Sequence, residues 1–368
     1  MTSRGLADKI ARRIRAEGPL SLAAYMAMAL HDPELGYYAT RRPLGAGGDF
    51  VTAPEISQVF GELVGAWCAL MWERIGRPDP VILAELGPGS GALAADLLRA
   101  AAALPEFRRA LRLHLIETSP LLRAEQQRRL AGADPVWLGR AEDLPAGPLL
   151  LVANEFLDAL PIRQLVRGAS HWSERRVALD REDRLVFADG AESPFVDLLV
   201  PEQLRDCLPR GAVFEICPAT QALAASLGTR FKQQPGAALF VDYGYCPSRP
   251  GPSLRAVCRH RPVGALASPG TADLSADVDF AAFCDAACAA GAESWGPVPQ
   301  REFLLTLGAS ARLAALAARA DAPTRHRLEI GAARLLDPAQ MGNLFKAVAL
   351  ASPGLGAPPG FIFPEPDR

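Results

Sequence analysis

The sequence has no two cysteines spaced as a C-x-x-C pair: Cys68, Cys207, Cys217, Cys246, Cys258, Cys284 and Cys288 are scattered and odd in number. That excludes the usual zinc-ribbon spacing and a disulfide framework, and points to a reducing compartment. Cys284 and Cys288, four apart on an expected helix, would hold a metal only with His or acidic partners, so small core thiols are the simpler expectation and no structural metal is implied. No stretch approaches the ~20 apolar residues of a membrane span, and the N-terminus shows no apolar signal core. The formal net charge is only −2, with 49% hydrophobic and 22% charged residues, so the composition favours neither nucleic-acid binding nor disorder. No internal repeat is visible. At 368 residues the chain exceeds the usual size of one compact core, so a main domain with additions is expected.

What the chain does have is centred on Val81–Leu98: a short apolar run, Glu85, three glycines at alternate positions and an Ala/Leu-rich helical pattern. This reads as a buried strand, a tight turn and a helix start. Gly87, Gly89 and Gly91 allow a sharp turn and close approach to a ligand, while the helix behind them offers free N–H groups. Gly87, Gly89 and Ala92 also satisfy a loose dinucleotide fingerprint, so a nicotinamide or flavin cofactor has to be weighed. Glu85 beside the loop and Pro88 within it shift the balance. A carboxylate there would repel a pyrophosphate but suits the sulfonium and ammonium of S-adenosylmethionine.

Along the rest of the chain the pattern predicts two N-terminal helices, Leu6–Glu17 and Ser21–Leu30, with Ser21 as a helix cap. A Gly-rich loop leads into a helix over Ser57–Ile75. Strands follow at Val81, Leu111–Thr118, Pro135–Gly139, Leu149–Asn154, Gly236–Tyr245, Ala292–Val298 and Asn343–Ser352, most of them separated by helices. Such alternation means a mainly parallel sheet covered on both faces. Alternating segments over Ile162–Phe187 read as hairpins at the sheet edge, Val213–Cys217 as a further strand, and Cys246–Gly270 as a long loop. The expected organisation is an N-terminal helical and loop cap over 1–76, the first half of a ligand-binding sheet over 77–161, inserted hairpins over 162–212, the second half over 213–352 with a helical insertion at 302–340, and a peripheral tail over 353–368.

In a doubly wound sheet ligands sit at the carboxyl ends of the strands. Glu117, closing the second strand, is placed to meet ribose hydroxyls, and Glu142 and Asp143 to meet an adenine amino group, although a solvated loop explains those last two equally well. Asn154, Glu155 and Asp158, at the end of the fourth strand, should line the active cleft, a polar strand terminus with a helix cap being the alternative.

Six blocks, Gly47–Leu63, Glu85–Gly91, Asn154–Pro161, Asp242–Tyr245, Asp273–Phe280 and Met341–Lys346, closely resemble the MidA-like family of S-adenosylmethionine-dependent methyltransferases, in order and over about Ile10 to Leu350. The resemblance implies an α/β class I methyltransferase fold: a Rossmann-like seven-stranded sheet with a helical N-terminal segment and an inserted hairpin and helical subdomain. It implies that Glu85, Gly87, Pro88, Gly89 and Gly91 hold the methionine part of the cofactor and Glu117 the ribose. The family includes a mitochondrial complex I assembly factor that dimethylates an arginine of an NADH dehydrogenase core subunit, so a protein substrate of that kind is implied, with a homodimer as a further expectation. Glu155, with Asn154 and Asp158, is then the nearest guanidinium clamp, with Asp49 and Glu55 of the N-terminal loop placed to close over it. The family pattern has Thr-Leu-Gln-Ala where Ser253–Ala256 stands and Thr-Gln-Gly where Pro299–Arg301 stands, which bears on substrate identity more than on chemistry. An NAD-dependent oxidoreductase and a catalytically silent assembly chaperone are the competing readings. The composition and the Asp8-containing amphipathic N-terminus suit a bacterial, cytoplasmic enzyme.

Overall fold

The computed structural model describes residues 3–41 and 52–362. Its main sheet runs in the order Val136–Leu138, Leu111–Ile116, Val81–Leu86, Leu149–Asn154, Gly236–Tyr245, Phe345–Ala351 and Glu293–Pro299. The first five strands are mutually parallel, and Phe345–Ala351 runs antiparallel to both of its neighbours. An eighth, two-residue strand, Val278–Asp279, pairs with Gly244 and Tyr245. The expectation of seven strands missed it because Gly236–Tyr245 overhangs its neighbour: the ladder with Leu149–Asn154 stops at Val241 opposite Asn154, leaving backbone groups beyond to be paired.

Side chains alternate between two cores, as the pleat requires. Val81, Leu83, Leu113, Leu115, Leu150 and Val152 pack with the Gln58–Arg74 and Ala92–Ala101 helices. Ile82, Ala84, Leu86, Leu149, Leu151 and Phe240 pack with the Pro218–Gln233 and Phe280–Ala290 helices. Both faces are therefore apolar, and the strand sequences read as continuous hydrophobic runs. Serine hydroxyls begin several helices: Ser21, Ser57 and Ser119 each accept a backbone N–H of the first turn.

Two further sheets differ from the expectation. Arg163–Arg167, Trp172–Leu179 and Leu185–Asp189 do form hairpins, but they build a separate antiparallel sheet with Leu20–Ser21 and Val213–Ile216. Val213–Ile216 is thus not a main-sheet strand; its partner is Arg163–Arg167. The Cys246–Gly270 segment is not all loop, for Arg255–Cys258 and Arg261–Val263 pair there and join Asp273–Ser275. Among the cysteines Cys68 is buried, whereas Cys207, Cys246 and Cys288 are exposed, and all seven are free thiols. Cys288 lies on the outer side of a helix whose Phe280, Phe283 and Ala287 face is buried. No helix among the described residues is long and apolar enough to cross a membrane, and no metal-holding group of three or more His, Cys, Asp or Glu occurs among them.

Candidate active site

The carboxyl ends of four parallel strands open into a cavity of 550 Å³ lined by Glu85–Ser90, Glu117, Glu142, Asn154, Glu155 and Phe156, with His31, Tyr38, Thr52 and Pro54 of the N-terminal segment also on its wall. Its floor is the glycine turn. Gly87, Gly89 and Gly91 have φ of +61°, +53° and +81°, a region that favours glycine. A Cβ on Gly87 would stand 2.9 Å from the Phe156 ring. Gly91 does not reach the cavity: its side faces Gln126, and it starts the Ala92–Ala101 helix.

Glu85 extends from the strand end and is 4% exposed, with Oε2 lacking any hydrogen-bond partner. Burial, reinforced by the charge of Glu117, pushes its carboxyl up to about 8 although the Ala94 N–H pulls the other way. A buried, half-unpaired acid on a cavity wall is suited to a cationic ligand group. Glu117 Oε1 accepts the Ser119 N–H at 2.8 Å and Oε2 accepts from Gln126 Nε2 at 3.2 Å; burial raises this carboxyl too.

Gln126 was not anticipated. Fully buried, it donates from Nε2 to the Gly89 carbonyl at 2.8 Å as well as to Glu117, and accepts from Trp137 Nε1 at 2.8 Å. One amide thereby ties the glycine turn to the second and third strands. The signal was present: Leu122, Gln126 and Leu130 recur every four residues on one buried helix face.

Glu142 lies on the cavity rim and pairs with Arg140 at 3.3 Å. Asp143 does not line the cavity; one residue further along the same short 3₁₀ turn, it is exposed to solvent.

At the opposite end Glu155 leaves the fourth strand with φ +52°. Its Oε1 accepts the Ala53 N–H at 3.0 Å and Asn154 Nδ2 at 3.0 Å. The Asn154 Oδ1 is buried and unpartnered. Burial, aided by the Asp158 charge, lifts Glu155 to about 7. Asp158 is turned away from the cavity: Oδ2 accepts the Tyr243 hydroxyl, and burial holds the carboxyl above its ordinary range. Residue 158 follows the strand end by four positions within a 3₁₀ turn, Leu157–Ala159, and so points behind the wall. Asp49 lies outside the described residues. Glu55 bonds Ser90 and Arg129 on the glycine-turn side of the cavity, 3.1 Å from the latter, and not the Glu155 end.

Comparison with known proteins decides which ligand these groups face. The model of a family of S-adenosyl-L-methionine-dependent methyltransferases matches residues 63–298. The chain is 36% identical over 375 residues, 94% of its own length and 85% of the other's, to "Protein arginine methyltransferase NDUFAF7, mitochondrial" of Xenopus tropicalis. Against the human protein of that name identity is 33%, over 92% of this chain and 81% of the relative. The chain belongs to the S-adenosyl-L-methionine-dependent methyltransferase family. A Burkholderia thailandensis structure solved with S-adenosyl-homocysteine bound superposes with a TM-score of 0.83 at 30% identity, covering 100% of this chain and 96% of that one. The cofactor of this methyltransferase is therefore S-adenosylmethionine, and its sheet is the family's sheet. The cavity fits that cofactor: the unpartnered Glu85 oxygen answers to a cation, and Gly87 and Gly89 put bare backbone on the wall beside it.

Proposed function

We propose that this methyltransferase modifies an arginine side chain of a protein, the candidate target being a core subunit of NADH dehydrogenase. The observation that carries the reading is Glu155, a carboxylate on the cavity wall with one oxygen already held by Ala53 and Asn154 and the other unbonded by the described residues. The naming of the relatives as protein arginine methyltransferases supports it.

When bound, S-adenosylmethionine supplies an electrophilic methyl group on a sulfonium. In the proposed arrangement Glu85 neutralises the cofactor's ammonium, Gly87, Pro88 and Gly89 let its methionine part lie against the backbone, Glu117 meets the ribose and Glu142 stands at the adenine rim. Gly91 shapes the turn from outside the cavity. Glu155 Oε2 and Asn154 Oδ1 then accept guanidinium N–H groups, fixing the plane and aiming one nitrogen at the methyl. A guanidinium is a poor nucleophile while protonated, so positioning supplies most of the acceleration. Glu155, lifted to about 7, is also able to take the proton that the nitrogen gives up. Asp158, bonded to the Tyr243 hydroxyl off the cavity wall, is left out of the clamp.

Mass spectrometry of the NADH dehydrogenase core subunit from cells with and without this gene tests the proposal. Arginine methylation should disappear with the gene; its persistence overturns the target assignment. The relatives carry "mitochondrial" in their names, and fractionation would test the cytoplasmic location proposed for this chain.

A further inference from the structure

The strand Gly236–Tyr245 accompanies Leu149–Asn154 as far as the pair Val241 and Asn154. The Glu155 N–H still donates to the Val241 carbonyl at 2.9 Å, and then the chain bends with Glu155 in the left-handed region at φ +52°. A side-chain-bearing residue holds that conformation only when its surroundings impose it. The next residue on the neighbouring strand supplies the restraint. Asp242 is 1% exposed. Its Oδ2 accepts the N–H groups of Phe156, Leu157 and Asp158 at 3.0, 2.8 and 3.2 Å, and Oδ1 accepts that of Tyr243 at 2.9 Å. Three successive amides converging on one oxygen make an anion-holding nest. Asp242 itself is absent from the cavity wall, so whatever it does for the reaction passes through the turn.

We propose that Asp242 is a positioning residue of the transfer reaction: its buried carboxyl group pins the Phe156–Asp158 amides and so holds Glu155 in the conformation that turns its carboxyl group to the cavity. The proposal rests on the reading of Glu155 as the guanidinium clamp. It explains why an acid sits in a place with no ligand to meet, beside two others, Glu155 and Asp158.

A double-mutant cycle separates this role from a merely structural one. Methyl transfer from radiolabelled S-adenosylmethionine to the purified NADH dehydrogenase core subunit is measured for the full-length protein, Asp242→Ala, Glu155→Gln and the double variant, alongside S-adenosylhomocysteine affinity and amide exchange at 156–158. Asp242→Ala should keep cofactor affinity within about twofold, speed exchange of the three amides at least tenfold and lower transfer about tenfold or more. In the Glu155→Gln background the same change should cost less than about twofold further, because the group it positions is already disabled. Should Asp242→Ala fail to fold, Asp242→Asn, which keeps one acceptor oxygen, carries the cycle with the same expectation of non-additivity. Equal losses in both backgrounds, or full activity of the Asp242 variant, overturn the positioning role and leave the clamp standing. A fully active Glu155→Gln variant, or no transfer by the unaltered protein, removes the clamp reading and this inference with it.

Discussion

The two ends of the cavity are built differently. At the cofactor end Glu85, the glycine turn, Glu117 and Gln126 come from residues 85–126, each stationed where a strand stops or a helix face turns inward. At the proposed acceptor end Glu155 is held by Ala53 of the N-terminal segment and by Asn154, and its turn by Asp242. The first is built mainly from one stretch of chain, with Glu55 and Trp137 joining from outside it, and the second is an assembly of three distant segments. The groups proposed to meet the cofactor lie at neighbouring strand ends close together in the chain, whereas those proposed to aim the acceptor meet only in the folded protein.

The sharpest way to break the contrast is at the turn. Gly89→Val should abolish detectable S-adenosylhomocysteine binding in calorimetry while the protein stays folded, because a β-branched side chain opposes φ +53° and fills the space over the turn. Retained affinity would mean that the loop only shapes the fold. At the other end Glu155→Gln should leave cofactor affinity nearly intact and depress transfer. Loss of one charge-assisted contact costs ~1.5–3 kcal/mol, and each ~1.4 kcal/mol is about tenfold in rate, so at least a tenfold deficit is expected. Normal turnover in Glu155→Gln, with cofactor affinity lost instead, would reverse the assignment of the two ends.

A smaller effect sharpens the account of the cofactor end. Gln126→Ala removes the bonds to Gly89, Glu117 and Trp137, and with buried partners left unpaired at ~1–3 kcal/mol it should weaken S-adenosylhomocysteine binding by about tenfold. Unchanged affinity would show that the turn keeps its shape without the amide.

The smallest expected effect is on pH dependence. Glu85 titrates at about 8 in the folded protein against 4.5 ordinarily, so the folded state binds its proton more tightly. The stability this confers is present below 4.5 and lost as pH rises to about 8. Melting curves of the free protein should therefore decline across that window, and Glu85→Gln should decline less. S-adenosylhomocysteine, bringing an ammonium to Glu85, should stabilise the unaltered protein progressively more as pH rises. A ligand shift independent of pH would remove Glu85 from the proposed contact.

How far the sequence reached follows the same division. Glu85, Gly87, Gly89 and Glu117 were legible because a strand end and a glycine turn place their residues within a few positions of chain, and these all reach or border the cavity. Asn154 and Glu155 were legible as the end of a buried strand. Asp158 was misplaced, and of the two readings left open for Asp143 the solvated loop holds, because one step along a 3₁₀ turn rotates a side chain by roughly a third of a circle, which spacing alone does not resolve. Gln126 was hidden in an otherwise apolar helix stripe.

By itself the sequence determined the alternation of strand and helix, the two apolar faces of the main sheet and the glycine turn, since these depend on local periodicity and backbone freedom. Only the tertiary structure decided that Val213–Ile216 joins the second sheet, that Glu55 serves the glycine turn and that Asp242 lies under the Glu155 bend. Those outcomes depend on which segments meet across hundreds of residues, and such contacts are settled by packing and by the need to pair every buried donor, not by any residue's neighbours in the chain.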